Sequence, residues 1–297
     1  MIHPTIDCAG RELVLDRARI CGIVNVTPDS FSDGGLHFDP AAAIRHGLAL
    51  VEQGADLLDV GGESTRPGAA AVDQDEELRR VIPVITALAR ETTVPISIDT
   101  SKPGVMRAAV QAGAGLINDV CALRQDGALE AAAELGVPVC LMHMQGEPRN
   151  MQADPQYDEV VADIKRFLAD RLFSCELAGI PRKHLLIDPG FGFGKTVDHN
   201  VELLRELQQF ATLAVPLFVG LSRKSFLGTL SARREPAERT PASLAAALIA
   251  VQRGAAILRV HDVAATSDVL KVWNAVGPGK PQKASASPPR VRWGEDD

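Results

Sequence analysis

Eight short apolar runs, most of them closing on polar residues and each followed by a helical pattern, divide the chain between residues 20 and 276. The runs are 20–25, 56–61, 94–99, 115–120, 137–143, 184–188, 215–221 and 256–261. The helical patterns cover 40–53, 75–91, 103–112, 127–135, 157–178, 199–210, 241–253 and 263–276. Asp39 as cap, Pro40 in the first turn and Gly54 as stop mark the first of these helices. Apolar strands alternating with helices imply a parallel sheet covered on both faces. Eight units in about 255 residues predict an α/β fold of the (β/α)8 TIM-barrel type, where an open doubly wound sheet has fewer strands. Residues 5–19 alternate around Gly10 and Arg11 and read as a short hairpin ahead of the barrel. The expected organisation is one domain over 1–276, with an excursion at 229–240, and a disordered tail over 277–297, where Pro, Ser, Lys and Arg dominate.

Bulk properties narrow the class. A hydrophobic content of 46% with 23% charged residues fits a globular chain with a sizeable core. The net charge of −7 argues against nonspecific nucleic-acid binding. No run approaches the roughly 18 apolar residues of a membrane span. Met1-Ile2-His3-Pro4 does not open a signal peptide. The cysteines (Cys8, Cys21, Cys121, Cys140, Cys175) are odd in number and lack CxxC spacing, which points to reduced thiols and a cytoplasmic protein.

Barrels of this type place their chemistry at the C-terminal strand ends. Those ends carry, in order, Asn25, then Glu63 to Arg66 beyond Gly61, then Asp99, Asn118 with Asp119, His143, Asp188, Ser222 to Ser225, and Arg259 with His261. Asp99, Asn118 and Asp188 suit a flat heterocycle with several N–H donors, and Lys224 with Asp188 can clamp its edges. Asp99 and Asp119 also stand where a helix cap is expected. Arg66, Arg259 and His261, near Asn25 and Thr65, suit a phosphate or diphosphate, which in turn implies Mg²⁺. Arg259 also reads as a salt-bridged barrel arginine. The stretch from Lys224 begins a helix whose free N–H groups can hold a carboxylate. His143, between Met142 and Met144, reads as a packed residue, and two histidines without a third argue against zinc. The 22–35 stretch, with Thr27, Asp29, Ser30, Phe31, Ser32 and Asp33 after an apolar strand, is too polar for a plain connector. Its loop, 26–35, reads as a lid, together with 62–71.

These stretches, 22–35, 61–68, 97–103, 117–120, 140–146, 186–195, 221–225 and 259–263, resemble the dihydropteroate synthase family in order and over nearly all of residues 20–275. The resemblance implies condensation of 6-hydroxymethyl-7,8-dihydropterin diphosphate with p-aminobenzoate, giving 7,8-dihydropteroate and diphosphate. By that resemblance Asp99, Asn118, Asp188 and Lys224 hold the pterin. Asn25, Thr65, Arg259 and His261 hold the diphosphate, with Arg66 beside them and Asn25 as a Mg²⁺ ligand. Phe31, Thr65, Pro67, Phe193 and Ser225 shape the p-aminobenzoate pocket. Asp99, Lys224, Arg259 and His261 are the catalytic set, and a homodimer open to sulfonamides is expected. An SN1-like route fits the lack of an obvious base for the amine. Competing classes are a pterin-dependent methyl-transfer domain, which would not need Thr65, Arg66, Arg259 and His261 together, and a non-catalytic pterin-binding paralogue, which would have lost some of them.

Overall fold

The computed structural model describes residues 4–27, 39–65, 68–146 and 150–277. The chain begins with the hairpin β1 (Thr5–Cys8) and β2 (Arg11–Val14), paired antiparallel from Thr5 opposite Val14 to Cys8 opposite Arg11. Its turn uses positive φ at Ala9 and Gly10, and the Asp7 carboxylate accepts from the Gly10 N–H at 2.6 Å.

The barrel then runs β3 (Arg19–Asn25), α1 (Pro40–Glu52), β4 (Leu57–Gly61), α2 (Gln74–Glu91), β5 (Ile96–Asp99), α3 (Pro103–Gln111), β6 (Leu116–Asp119) and α4 (Ala128–Leu135). It continues with β7 (Val139–Met142), α5 (Val160–Leu177), β8 (Leu185–Asp188), α6 (Val197–Arg205), β9 (Phe218–Val219), α7 (Ser225–Ser231), α8 (Thr240–Gln252), β10 (Ile257–Val260) and α9 (Val263–Val276). The sheet has eight strands, all parallel, in the order β8-β7-β6-β5-β4-β3-β10-β9. A single parallel bridge from Ile187 to Leu217 joins its two edges, so the (β/α)8 barrel closes at its weakest seam.

Three local expectations change. The helix expected over 199–210 starts at Val197, where Thr196 and His199 form a capping box, and ends at Arg205. A 3-10 segment, Leu207–Leu213, follows, with Leu207, Phe210 and Leu213 buried. Apolar residues three apart match the three-residue turn of a 3-10 helix, not the 3.6-residue α-helix. The strand expected over 215–221 is reduced to Phe218–Val219 and the bridge residue Leu217. The 229–240 excursion resolves into the end of α7 and a 3-10 turn at Pro236–Arg239. The expected tail lies outside the described residues beyond Gly277.

The period of two along each strand builds the barrel interior in layers. Cys21, Leu57, Leu116, Cys140, Leu186, Phe218 and Ile257 form one buried apolar layer, capped from below by Ile6, Cys8 and Leu13 of the hairpin. Close docking of that cap requires glycine at 115, because a Cβ there would lie 2.2 Å from the Cys8 carbonyl oxygen. Arg11 fastens the hairpin by donating to the carbonyls of Ala89 at 2.6 Å and Val94 at 2.8 Å. Two residues further along the same strands stand Ile23, Asp59, Asn118, Met142, Asp188, Gly220 and Arg259. The interior turns polar there, toward the mouth.

Candidate active site at the barrel mouth

Arg259 on β10 lies at the centre of the polar layer. Its Nε donates to Asp59 at 2.5 Å and its Nη2 to Asp99 at 2.7 Å, while Asn118 Nδ2 donates to the same Asp59 oxygen at 3.0 Å. Four strands (β4, β5, β6, β10) thus meet in one hydrogen-bonded cluster. Burial pushes the Asp99 carboxyl up to about 7 against the opposing pull of Arg259, and the two carboxylates hold the guanidinium firmly charged. Asp99 therefore does not cap α3, whose N-cap is Lys102. Asp119 does not cap the following helix either, since the N-cap of α4 is Gly127; its carboxylate instead fastens the turn after β6, accepting from Ser101 Oγ and from the N–H groups of Cys121 at 2.8 Å and Leu123 at 2.7 Å. Arg259 is the salt-bridged barrel arginine that its position also allowed.

Across the mouth, Asp188 ends β8 and accepts from the Gly190 N–H at 2.7 Å; burial raises it to about 6. Lys224, the residue before α7, is lowered to about 8 by burial, with Asp188 pulling the other way. Its Nζ lies 4.0 Å from the centre of the Phe193 ring, a cation–π contact. Ser225 is the exposed first residue of α7. His261 rests on Ser222, whose hydroxyl oxygen is 3.0 Å from Nδ1 and accepts from the His261 N–H at 3.2 Å. Next to it Arg223 pairs with Asp262 at 2.7 Å, so the segment after β9 is latched to the end of β10.

Asn25 is half-buried at the end of β3. Thr65 lies on the loop after β4 and lines a cavity of ≈ 890 Å³ with Glu63, Ser101, Lys102, Arg124 and Met144. Lys102 holds that loop down: its Nζ bridges Glu63 at 2.5 Å and the buried Glu77 at 2.6 Å, and Glu63 also accepts from the Val72 N–H. A second cavity of ≈ 410 Å³ sits at the opposite end of the barrel, beside Gly10 and Arg11, away from these groups. Phe31, Arg66 and Pro67, with Asp29 and Asp33, lie outside the described residues.

The mouth therefore brings Asp99, Asn118, Asp188, Lys224, Phe193, Arg259 and His261 to one end of the barrel. Several important groups escaped the sequence reading. Asp59 has no exposure and stands inside the apolar run of β4, so a carboxylate between Leu58 and Val60 was the available signal. The Glu63–Lys102–Glu77 bridge and a buried contact between Lys195 and His143 join residues far apart in the chain, and no local pattern marks them.

The family model described as "Pterin binding enzyme" matches residues 21–261. The chain belongs to the pterin-binding enzyme family, and within it to the dihydropteroate synthases. It is 51% identical to the dihydropteroate synthase of Escherichia coli K12 over 92% of this chain and 97% of that one. A solved structure of Xanthomonas albilineans dihydropteroate synthase with 4-aminobenzoic acid shares 60% identity and a TM-score of 0.90, covering 94% of this chain and all of the other. The Xanthomonas albilineans enzyme in complex with 7,8-dihydropteroate shares 57% identity and a TM-score of 0.86 over 93% of this chain and 100% of that one. Among the described residues, no helix is long and apolar enough to cross a membrane.

Proposed function

We propose that this chain condenses 6-hydroxymethyl-7,8-dihydropterin diphosphate with p-aminobenzoate, releasing diphosphate and forming 7,8-dihydropteroate for folate biosynthesis. The observation that carries the residue assignment is the convergence of Asp99, Asn118, Asp188 and Lys224 on one face of the mouth, with Arg259 joined to Asp99. Carboxylates accept from the ring N–H groups of a pterin, the Asn118 amide both donates and accepts, and Lys224 donates to a ring acceptor. Arg259, already ion-paired, anchors the boundary between pterin and diphosphate. Thr65 and His261 continue the diphosphate site outward, and Arg66 belongs to it by the family resemblance. Phe31, Thr65, Pro67, Phe193 and Ser225 form the arylamine pocket, the p-aminobenzoate carboxylate facing the backbone N–H groups at the start of α7.

The bond between the pterin methylene and the diphosphate oxygen breaks first, and its electron pair leaves with the diphosphate. Arg259 and His261 stabilise that developing charge. Asp99 and Asp188, close to the ring, favour the cation left on the pterin methylene. The p-aminobenzoate nitrogen then attacks and gives up its proton to solvent. Among the described residues, no group of three or more His, Cys, Asp or Glu side chains could hold a metal ion. The amide oxygen of Asn25 would hold a Mg²⁺ that arrives with the diphosphate. Such an ion supplies charge neutralisation for the departing diphosphate.

Exposed Leu230, Ile249, Val272 and Val276 on the consecutive helices α7, α8 and α9 support a homodimer through that side. The free thiols, all but Cys121 buried, support a cytoplasmic setting. Incubation of the purified protein with pterin diphosphate and p-aminobenzoate should yield dihydropteroate and diphosphate in equal amounts. Without p-aminobenzoate, slow diphosphate release should persist. Strict dependence of release on p-aminobenzoate would remove the stepwise route, and absence of product would remove the reaction.

A further inference from the structure

Beneath the mouth lies a buried lysine to which the proposed reaction assigns no role. Lys195 ends the 188–195 segment and is only 3% exposed. Its Nζ donates to the carbonyls of Gly190 at 2.8 Å and Phe193 at 3.0 Å, and lies 3.0 Å from His143 Nδ1. These three partners are uncharged acceptors, because burial and the neighbouring Lys195 push the His143 imidazole down to about 2. Burial lowers the Lys195 ammonium to about 7, with Asp188 pulling the other way from beyond hydrogen-bonding contact, and an ammonium taken out of water without a carboxylate bonded to it is costly. The same volume filled by a methionine would avoid that cost, so packing alone does not account for lysine here.

The rest of the segment is held in the same way. Tyr157 Oη donates to the Gly194 carbonyl at 2.7 Å and Gln152 Nε2 to the Gly192 carbonyl at 2.6 Å, while Asn200 Oδ1 accepts from the Gly192 N–H at 2.7 Å. The carbonyls of residues 190, 192, 193 and 194 are all captured by side chains, in a stretch that forms no regular helix or strand. Its glycines take positive φ, and at Gly190 a Cβ would lie 1.9 Å from the His143 carbonyl oxygen. Such backbone is mobile unless its polar groups are fixed. What the clamp presents to the mouth is the Phe193 ring, 4.0 Å from Lys224 Nζ.

We propose that Lys195 is a positioning residue for the arylamine site. It gathers the Gly190 and Phe193 carbonyls against His143 and so keeps the Phe193 ring on Lys224, shaping the second substrate's wall without touching either substrate. The network serves in both protonation states. As an ammonium, Nζ donates to all three partners. As an amine, it donates to the two carbonyls and accepts from a His143 whose proton has moved to Nδ1. This inference rests on the placement of p-aminobenzoate beside Phe193.

Lys195→Met keeps the side chain's length and removes its donors. In the full-length protein it should raise the KM for p-aminobenzoate about tenfold or more, since small misplacements of a positioning wall are expensive. Over the same comparison kcat should fall less than about threefold and calorimetric affinity for the pterin diphosphate should change less than about threefold, the split expected when one substrate's contacts alone are loosened. Tyr157→Phe and Gln152→Ala each remove one clamp from the same backbone. They should move the arylamine KM in the same direction by roughly two- to fivefold, and they carry the test if Lys195→Met does not fold. An unchanged arylamine KM in the folded variants, or an equal loss of pterin affinity, overturns the positioning role while the unmodified protein's turnover leaves the reaction standing. No turnover by the unmodified protein overturns the reaction, and this inference with it.

Discussion

At the lower end of the barrel Cys21, Leu57, Leu116, Cys140, Leu186, Phe218 and Ile257 meet the hairpin in a dry layer. Two residues further up, the same strands present Asp59, Asn118, Asp188 and Arg259. The backbone is equally regular at both levels, so the difference lies in the energetics of the side chains. The lower layer stabilises the fold by removing apolar surface from water. The upper layer works against it: Asp59 has one buried carboxylate oxygen without a hydrogen-bond partner among the described residues, and Asp99, Asp188 and Lys224 are all shifted toward their neutral forms by burial. Groups already stripped of water lose less hydration when a polar ring pairs with them.

Neutralising one mouth carboxylate should separate the two ends most sharply. Asp188→Asn should lower kcat/KM by on the order of a hundred- to a thousandfold, the scale seen when a preorganised charged contact is lost. Its Tm, followed by calorimetry, should stay within about 3 °C, since the substitution also removes a desolvated charge. A large fall in Tm with modest loss of turnover would mean that the mouth is structural after all.

Leu13→Ala, in the hairpin cap, should do the reverse. It should cost about 2–5 kcal/mol in denaturant unfolding, as buried leucines do when truncated, with kcat/KM of the folded protein within about twofold. If turnover fell in step with stability, the two ends would be mechanically coupled and the contrast between them would need redrawing.

Changes of pH should act almost wholly on the upper end. On the proposed assignment pterin binding needs ionised Asp99 and Asp188, shifted up to about 7 and about 6, and so should weaken as pH falls through that range. It also needs charged Lys224, shifted down to about 8, and so should weaken again as pH rises beyond it. The alkaline limb, with one titrating group, should approach roughly a tenfold change per pH unit, and the acid limb should steepen from roughly tenfold to roughly a hundredfold per unit below about 6, where both carboxyls take up protons. Lys224→Arg should carry the alkaline limb out of range. Stability should move the other way. The raised carboxyls bind protons more tightly in the folded chain, so their contribution is lost as pH rises from about 4 to 7; the lowered lysine makes stability recover between about 8 and 10.5. Coincident pH curves for binding and unfolding would contradict this opposition.

Much of this architecture was legible from residue order. The βα rhythm needs only local periodicity, and the strand ends followed from it, so Asp99, Asn118, Asp188, Lys224, Arg259 and His261 could be placed at the mouth before any coordinates. Helix 199–210 misled because Leu207, Phe210 and Leu213 fit an α-helical face almost as well as a 3-10 one. For Asp59 the one local mark is a carboxylate between Leu58 and Val60, which names no partner because Arg259 and Asn118 lie far away in the chain. Lys195 shows in the sequence only as a lysine after Gly190, Gly192 and Gly194, with nothing local to mark its contact with His143.

The sequence by itself determined the parallel barrel, its polar end and the family, because each rests on patterns that repeat within a few residues of one another. Only the tertiary structure decided the partners: that Arg259 is shared between Asp59 and Asp99, that Asp119 fastens a turn while Asp99 does not, and that Lys195 meets His143 across 52 positions of chain. Closing the sheet into a barrel places side chains from distant strands within hydrogen-bonding distance, and pairing at that range depends on the register and curvature of the whole sheet.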